Sequence, residues 1–307
     1  MSPPAENGSR VAVLAALVAN LAIAASKFVA FFFTGSGAML AEGVHSVADS
    51  GNQLLLIIGG HRAKRPANSE HPFGHGRDRY IYSFFVAVVL FSVGGLFALF
   101  ESLGKIRHPH ELTSPVWAIV TLGVALILES LSFRTAIGMA RAEKGELGWL
   151  AYLRQAKAPE LPVVLLEDFG ALVGLLIALV AVGASILFNA PIFDGLGTLA
   201  IGILLLGVAL VLAIESKSLL LGESATPIDS AKIIAALLAT DEVERVIHIR
   251  TLHLGPEEIL VAAKIAVRHD STAVSIVRAI DAAELRIRAV VPAAKIIYLE
   301  PDIDRGR

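Results

Sequence analysis

The chain has 307 residues, 55% of them hydrophobic and only 18% charged, with a mean hydropathy of +0.69, a balance that excludes an ordinary soluble domain. It has no cysteine. Disulfides and thiolate metal ligands are therefore excluded, and any metal site must be built from histidine nitrogen and carboxylate oxygen. The formal net charge of −2 singles out no partner, and no nucleic-acid binding is expected.

Six apolar runs are long enough to cross a bilayer as helices. They cover roughly residues 11–33, 38–60, 80–104, 114–136, 162–187 and 191–214. The opening M-S-P-P-A-E-N-G-S-R lacks a signal-peptide pattern, so the first run is expected to be a retained span. T-G-S-G joins the first two runs, and F-N-A-P-I-F-D the last two. Basic residues set the orientation. Arg62, Lys64, Arg65, Arg77 and Arg79 follow the second run; Arg134, Arg141, Lys144, Arg154 and Lys157 follow the fourth. These loops and both termini are expected on the cytoplasmic side, against a minor dissent from K-I-R-H-P-H-E at 105–111. Segment 137–161, with Trp149 and Tyr152, is expected along the cytoplasmic interface.

After residue 225 the pattern changes. A-T-P-I-D-S-A-K-I-I-A-A-L-L predicts a capped helix with Pro227 in its first turn. V-I-H-I-R-T-L-H-L and I-L-V-A-A-K-I-A-V predict strands around the turn G-P-E-E. T-A-V-S-I-V-R-A-I-D-A-A-E-L-R-I-R predicts a second helix, and K-I-I-Y-L-E a third strand. The expected fold class is an α-helical membrane protein with six transmembrane helices, followed by a small αββαβ, ferredoxin-like, cytoplasmic domain. The expected divisions are a membrane domain over 1–215, a linker over 216–225 and the cytoplasmic domain over 226–307.

The second run carries Glu42, His45, Asp49 and Asn52. Steps of three, four and three put them on one helical face. Ionisable groups in mid-membrane are costly and usually face a cavity or an ion path. His45 and Asp49, at i and i+4, reach a common ligand, and imidazole plus carboxylate suits a borderline divalent metal such as Zn²⁺. The alternative is a His–Asp pair that glues helices together. The fifth run adds Glu167 and Asp168 shortly after Pro162. Neighbours on a helix point about 100° apart, so the two are not expected to face one small site equally, and near a helix start they would also suit its dipole. In the loop N-S-E-H-P-F-G-H-G-R, His71 and His75 stand four apart beside Glu70, with Gly74 and Gly76 allowing a tight fold. His-x-x-x-His alone is a weak metal signal.

These clusters together resemble the cation diffusion facilitator family of divalent-metal/proton antiporters. The resemblance rests on G-S-G-A-M-L-A-E-G-V-H-S-V-A-D-S and H-P-F-G-H-G-R, in that order and spacing, and runs over nearly the whole chain. It implies a transport site shared between the second and fifth spans, with His45, Asp49 and Asp168 as ligands. The chain departs where the family has a ligand four residues before Asp168: Val164 stands there. Glu167, water, or a three-ligand site would fill the gap. The resemblance further implies a loop metal site at His71, His75 and a position near Asn68 or Glu70. Arg77 would pair with an acid near the start of the cytoplasmic domain, with Glu223 as candidate. The domain's own metal-site positions here hold Ile247, Lys264, Tyr298 and Glu300. His248 and His253 fall on opposite strand faces. The domain is expected to dimerise and to bind metal weakly or not at all.

The function implied is export of Zn²⁺, or of Mn²⁺, Fe²⁺ or Co²⁺, from the cytoplasm against protons by alternating access. The protein would be a multi-pass homodimer in lipid, in a bacterial inner (plasma) membrane, with metal as substrate, no cofactor and no catalytic residue. The competing possibilities are an intramembrane metalloenzyme, for which there is no His-Glu-x-x-His signature, and a metal-gated channel or sensor.

Overall fold

The computed structural model describes residues 20–26, 28, 29, 37–109 and 115–302, with isolated positions at 14, 17, 18 and 32; over 37–45 and at 115 it describes backbone alone. The chain divides into two units, one of residues up to 61 with 78–217, the other of 62–77 with 218–307.

The first unit is helical. Residues 20–26 are helical, ahead of helix α1, Gly37–Arg62. The third run is one element of three parts: α2, Asp78–Val89, a π-helical turn over Leu90–Leu96, and α3, Phe97–Arg107. There follow α4, Pro115–Lys144, a short α5, Trp149–Gln155, α6, Glu160–Leu187, and α7, Ile192–Leu221. Among the described residues, four helices are long and apolar enough to cross a membrane: Asp78–Arg107, Val116–Lys144, Glu160–Leu187 and Ile192–Leu221. The first expected span falls largely outside the described residues.

Two expected boundaries differ from the structure. Segment 137–161 divides, because R-T-A-I-G-M-A-R-A-E-K is good helix-forming sequence and α4 runs through it to Lys144; Gly145, at φ 52°, then turns the chain. The expected linker at 216–225 is helical as far as Leu221, since E-S-K-S-L-L-L continues the helix, and Gly222 ends it at φ 105°.

The core of this unit is formed by Leu56, Val86, Leu90, Leu161, Val163, Val164, Leu205 and Leu212. The buried pair Arg79–Glu160 ties α2 to the start of α6, with Nη2 to Oε2 at 2.8 Å. Ser83 and Ser216 share a buried hydroxyl bond of 2.9 Å between α2 and α7. Tyr152 on α5 donates to Glu143 Oε2 at 2.9 Å. Burial, and after it the Glu143 charge, hold the Tyr152 phenol well above its usual range, so it remains a donor.

The second unit has α8, Pro227–Leu238, β1, Val243–Gly255, β2, Glu258–Val267, α9, Ala273–Val290, and β3, Ala294–Asp302. This is the order the sequence predicts. Thr226 caps α8 by accepting the Asp229 N–H at 3.1 Å, with Pro227 in the first turn. The sheet order is β1-β2-β3, antiparallel then parallel. The alternating residues Ile259, Val261, Ala263 and Ile265 are buried against Ile233, Leu237, Ala283 and Ile287 of the two helices.

Candidate metal site

The polar stripe of the second run does lie on a helix, α1. Along it Ser46, Asn52 and Gln53 are buried and Asp49 is half-buried. His45 lies one turn before Asp49, with its side chain, like that of Glu42, outside the described residues. On α6, Asp168 is 2% exposed. Val164, one turn earlier, is fully buried and offers no donor atom.

The two adjacent carboxylates of α6 are held by different neighbours. Asn52 Nδ2 donates to Glu167 Oε1 at 2.8 Å, and Gln53 Nε2 to Glu167 Oε2 at 3.3 Å. Asn20 Nδ2 in turn donates to Gln53 Oε1 at 3.2 Å. On the other side, Ser132 of α4 donates to Asp168 Oδ2 at 2.9 Å. Helix geometry explains the split, since neighbours about 100° apart face different helices. Both carboxylates nevertheless line one cavity. Asn20, Asp49, Gln53 and Glu129 line it with them, and Leu90, Ala171, Leu205 and Val208 complete its wall.

Four carboxylates thus border the cavity, and no Lys or Arg is among its lining residues. An ionised carboxylate away from water is costly unless paired or bound to a metal. Such a lining favours a cation. Oxygen donors of this type suit hard or borderline divalent ions, and an imidazole shifts the preference towards Zn²⁺. Among the described residues no three His, Asp or Glu side chains stand in metal-holding geometry. At α6, three carboxylate oxygens each accept one hydrogen bond from a neighbouring side chain.

Sequence reasoning missed Glu129, Ser132, Gln53 and Asn20. Glu129 carried a usable signal, a lone carboxylate in the apolar run V-A-L-I-L-E-S-L. Asn52, on the polar face the sequence predicts, bonds to Glu167 of α6.

In the second unit, Asn68 Oδ1 accepts the backbone N–H of Glu70 at 3.0 Å and of His71 at 2.6 Å. The Asn therefore shapes the loop with its side-chain oxygen. The His71 and His75 rings meet edge to face, with centroids 4.6 Å apart. Glu70 is exposed, and His75 Nδ1 is buried without a hydrogen-bond partner. Gly74 takes φ 78°, and a Cβ on Gly76 would stand 2.7 Å from Leu254 O, so both glycines are required by the tight fold. A Cβ on Gly222 would stand 3.7 Å from Arg77 Nη2, which puts the Arg77 guanidinium beside the residue preceding Glu223.

On the sheet, His248 pairs with Lys264 and is exposed, whereas His253 pairs with Ile259 and is buried. They do lie on opposite faces. Lys264 Nζ stands 3.0 Å from both Glu300 and Asp302.

An apolar helical bundle around a carboxylate-lined cavity, followed along the chain by a small α/β domain, marks a multi-pass membrane protein whose cavity lining suits a cation. Residues 13–221 match the cation efflux transmembrane domain, and the chain belongs to the cation diffusion facilitator family of metal transporters. It is 32% identical over 243 residues to a Xenopus laevis protein named proton-coupled zinc antiporter SLC30A9, mitochondrial, covering 78% of this chain and 43% of that protein. It is 27% identical to metal tolerance protein C4 of Arabidopsis thaliana, over 84% of this chain and 57% of that one. It is 25% identical to the manganese efflux system protein MneP of Bacillus subtilis, over 89% of this chain and 88% of that one. The chain thus spans less than half the length of the zinc antiporter it matches.

Proposed function

We propose that the protein exports a divalent metal from the cytoplasm in exchange for protons, by alternating access around the cavity between α1, α4 and α6. The observation that carries this is the convergence of Asp49, Glu129, Glu167 and Asp168 on one cavity without a basic lining residue. Metal binding requires deprotonated ligands, so each metal bound releases protons and acid on the far side drives it off. His45, one turn from Asp49, adds a nitrogen donor that titrates near neutral pH. Asp49 and Asp168 are read as the described ligands; Glu167 adds an oxygen where Val164 has none. The names of the relatives support Zn²⁺ and Mn²⁺ as the substrates to test first.

In this reading the chain crosses the membrane six times, with both termini and the basic loops cytoplasmic, as the Lys and Arg distribution favours. The host is a bacterial plasma membrane, and the C-terminal α/β domain joins two copies. The test is purified protein in liposomes with an imposed pH gradient and a panel of divalent ions. Saturable metal uptake that follows the gradient and is lost in Asp49→Ala supports the proposal; uptake unchanged in that variant overturns it.

A further inference from the structure

The two amides that grip Glu167 differ in a way that bears on metal choice. Gln53 uses both ends of its amide: Oε1 accepts from Asn20 and Nε2 donates to Glu167. The ionised carboxylate only accepts, so it takes the N–H end of Gln53, and Asn20 pairs with the carbonyl end that remains. Asn52 is 1% exposed, donates to Glu167 at 2.8 Å and leaves its own Oδ1 buried without a hydrogen-bond partner. A side chain whose task was to hold helices together would satisfy both ends, because a buried unpaired carbonyl is costly. Asn52 instead gives up one end to secure Glu167.

We propose that Asn52 and Gln53 are specificity-determining residues: they hold Glu167 as an oxygen donor at the cavity wall, in place of the donor missing at Val164, and so favour oxygen-preferring ions such as Mn²⁺ relative to Zn²⁺. The proposal rests on reading that cavity as the metal path. Each Glu167 oxygen keeps a lone pair after accepting one N–H, so the clamp fixes the carboxylate without exhausting it. A carboxylate held in place loses less freedom when a metal arrives. Partners one step removed from the metal typically change its affinity 10- to 100-fold. The oxygen-to-nitrogen balance of the donor set decides between Mn²⁺ and Zn²⁺. Asn20, which touches Gln53 and not the carboxylate, acts at one further remove.

The experiment is titration calorimetry of Mn²⁺ and of Zn²⁺ into the purified full-length protein, which reads binding whether or not a variant transports. Asn52→Leu and Gln53→Met are expected to weaken Mn²⁺ about tenfold more than Zn²⁺. Asn20→Ala shifts the ratio the same way by less, and supplies the test should either of the first two fail to fold. In a Glu167→Gln background the Asn52→Leu shift disappears, because its effect runs through that carboxylate. Ratios within twofold of wild type in the variants that fold, or an equal shift persisting in Glu167→Gln, overturn the proposal. That result alongside transport lost in Asp49→Ala retires the specificity claim and leaves the function standing, whereas transport intact in Asp49→Ala removes the function itself.

Discussion

The two units treat negative charge in opposite ways. In the helical unit, Asp49, Glu129, Glu167 and Asp168 line a cavity in which amides bond Glu167 and a hydroxyl bonds Asp168, with no Lys or Arg among the lining residues. In the C-terminal unit, Glu300 and Asp302 are neutralised by an ammonium of the chain itself, Lys264, at 3.0 Å from each. A tethered cation stays; a carboxylate-lined cavity with no basic residue in its lining leaves the charge to be balanced by something else.

The strongest way to break the contrast is to remove a cavity carboxylate. Asp168→Ala is expected to lower metal transport on the order of a hundredfold or more, measured as initial uptake in proteoliposomes; near-normal uptake would mean the cavity is not the path. Next comes the charge the helical unit does neutralise. Arg79 and Glu160 are 12% and 7% exposed, and removing one partner leaves a buried charge uncompensated. Glu160→Ala should cost about 3–5 kcal/mol in unfolding, and the double variant Arg79→Met with Glu160→Leu should regain most of it. A double variant as unstable as the single one would show that the pair does more than cancel charge.

The contrast can also be inverted. Lys264→Asp places a third carboxylate beside Glu300 and Asp302, and in an Asp49→Ala background calorimetry should detect weak divalent-metal binding absent from Asp49→Ala alone. No gain would mean that the backbone there cannot close around an ion. The smallest effects are those of exposed pairs. Arg268, bonded to Asp270 at 3.0 Å, holds the Asp270 carboxyl below its ordinary value. Its contribution to stability is therefore present above the unfolded Asp value, about 3.9, and is lost as pH falls through the folded one. Lys264 runs the other way. Its hydrogen bonds to Glu300 and Asp302 raise it, so its contribution is complete below the unfolded Lys value, about 10.4, and is lost as pH rises through the folded one. Unfolding curves of wild type and Lys264→Met should therefore draw together in strong alkali, where the ammonium is lost, and in acid, where Glu300 and Asp302 are protonated.

Much of the molecule was legible because apolar runs and period-two alternation respond directly to burial. The αββαβ order, the Thr226–Pro227 helix start and the opposite faces of His248 and His253 all follow from local pattern. Asp49 and Asp168 were legible for a related reason: ionisable groups are scarce enough in apolar helices to stand out. What escaped depends on which helices meet. Nothing near Asn20 or Ser132 in sequence says that one bonds Gln53 and the other Asp168. Glu129 stood alone, without an i+4 partner to make it a motif. The π-helical turn escaped because L-F-S-V-G-G-L is as apolar as any helix around it.

That turn has a consequence for how the third membrane element works as a single rod. Above and below it the same helix makes separate appointments: Arg79 and Ser83 with Glu160 and Ser216, Lys105 with Asp194 at 3.1 Å. Within it, Gly95 lies so close to α7 that a Cβ would stand 2.4 Å from Leu206 Cδ2. A hydrogen-bond ladder running i to i+5 takes up one residue more per turn than i to i+4. The turn therefore works as a phase adjuster. Deleting one residue from 90–96 would let the helix resume its ordinary winding with both ends still in phase, whereas deleting one from the α-helical stretch after it would swing the Lys105 end by about 100°, out of step with Asp194, while the Arg79 end kept its partner.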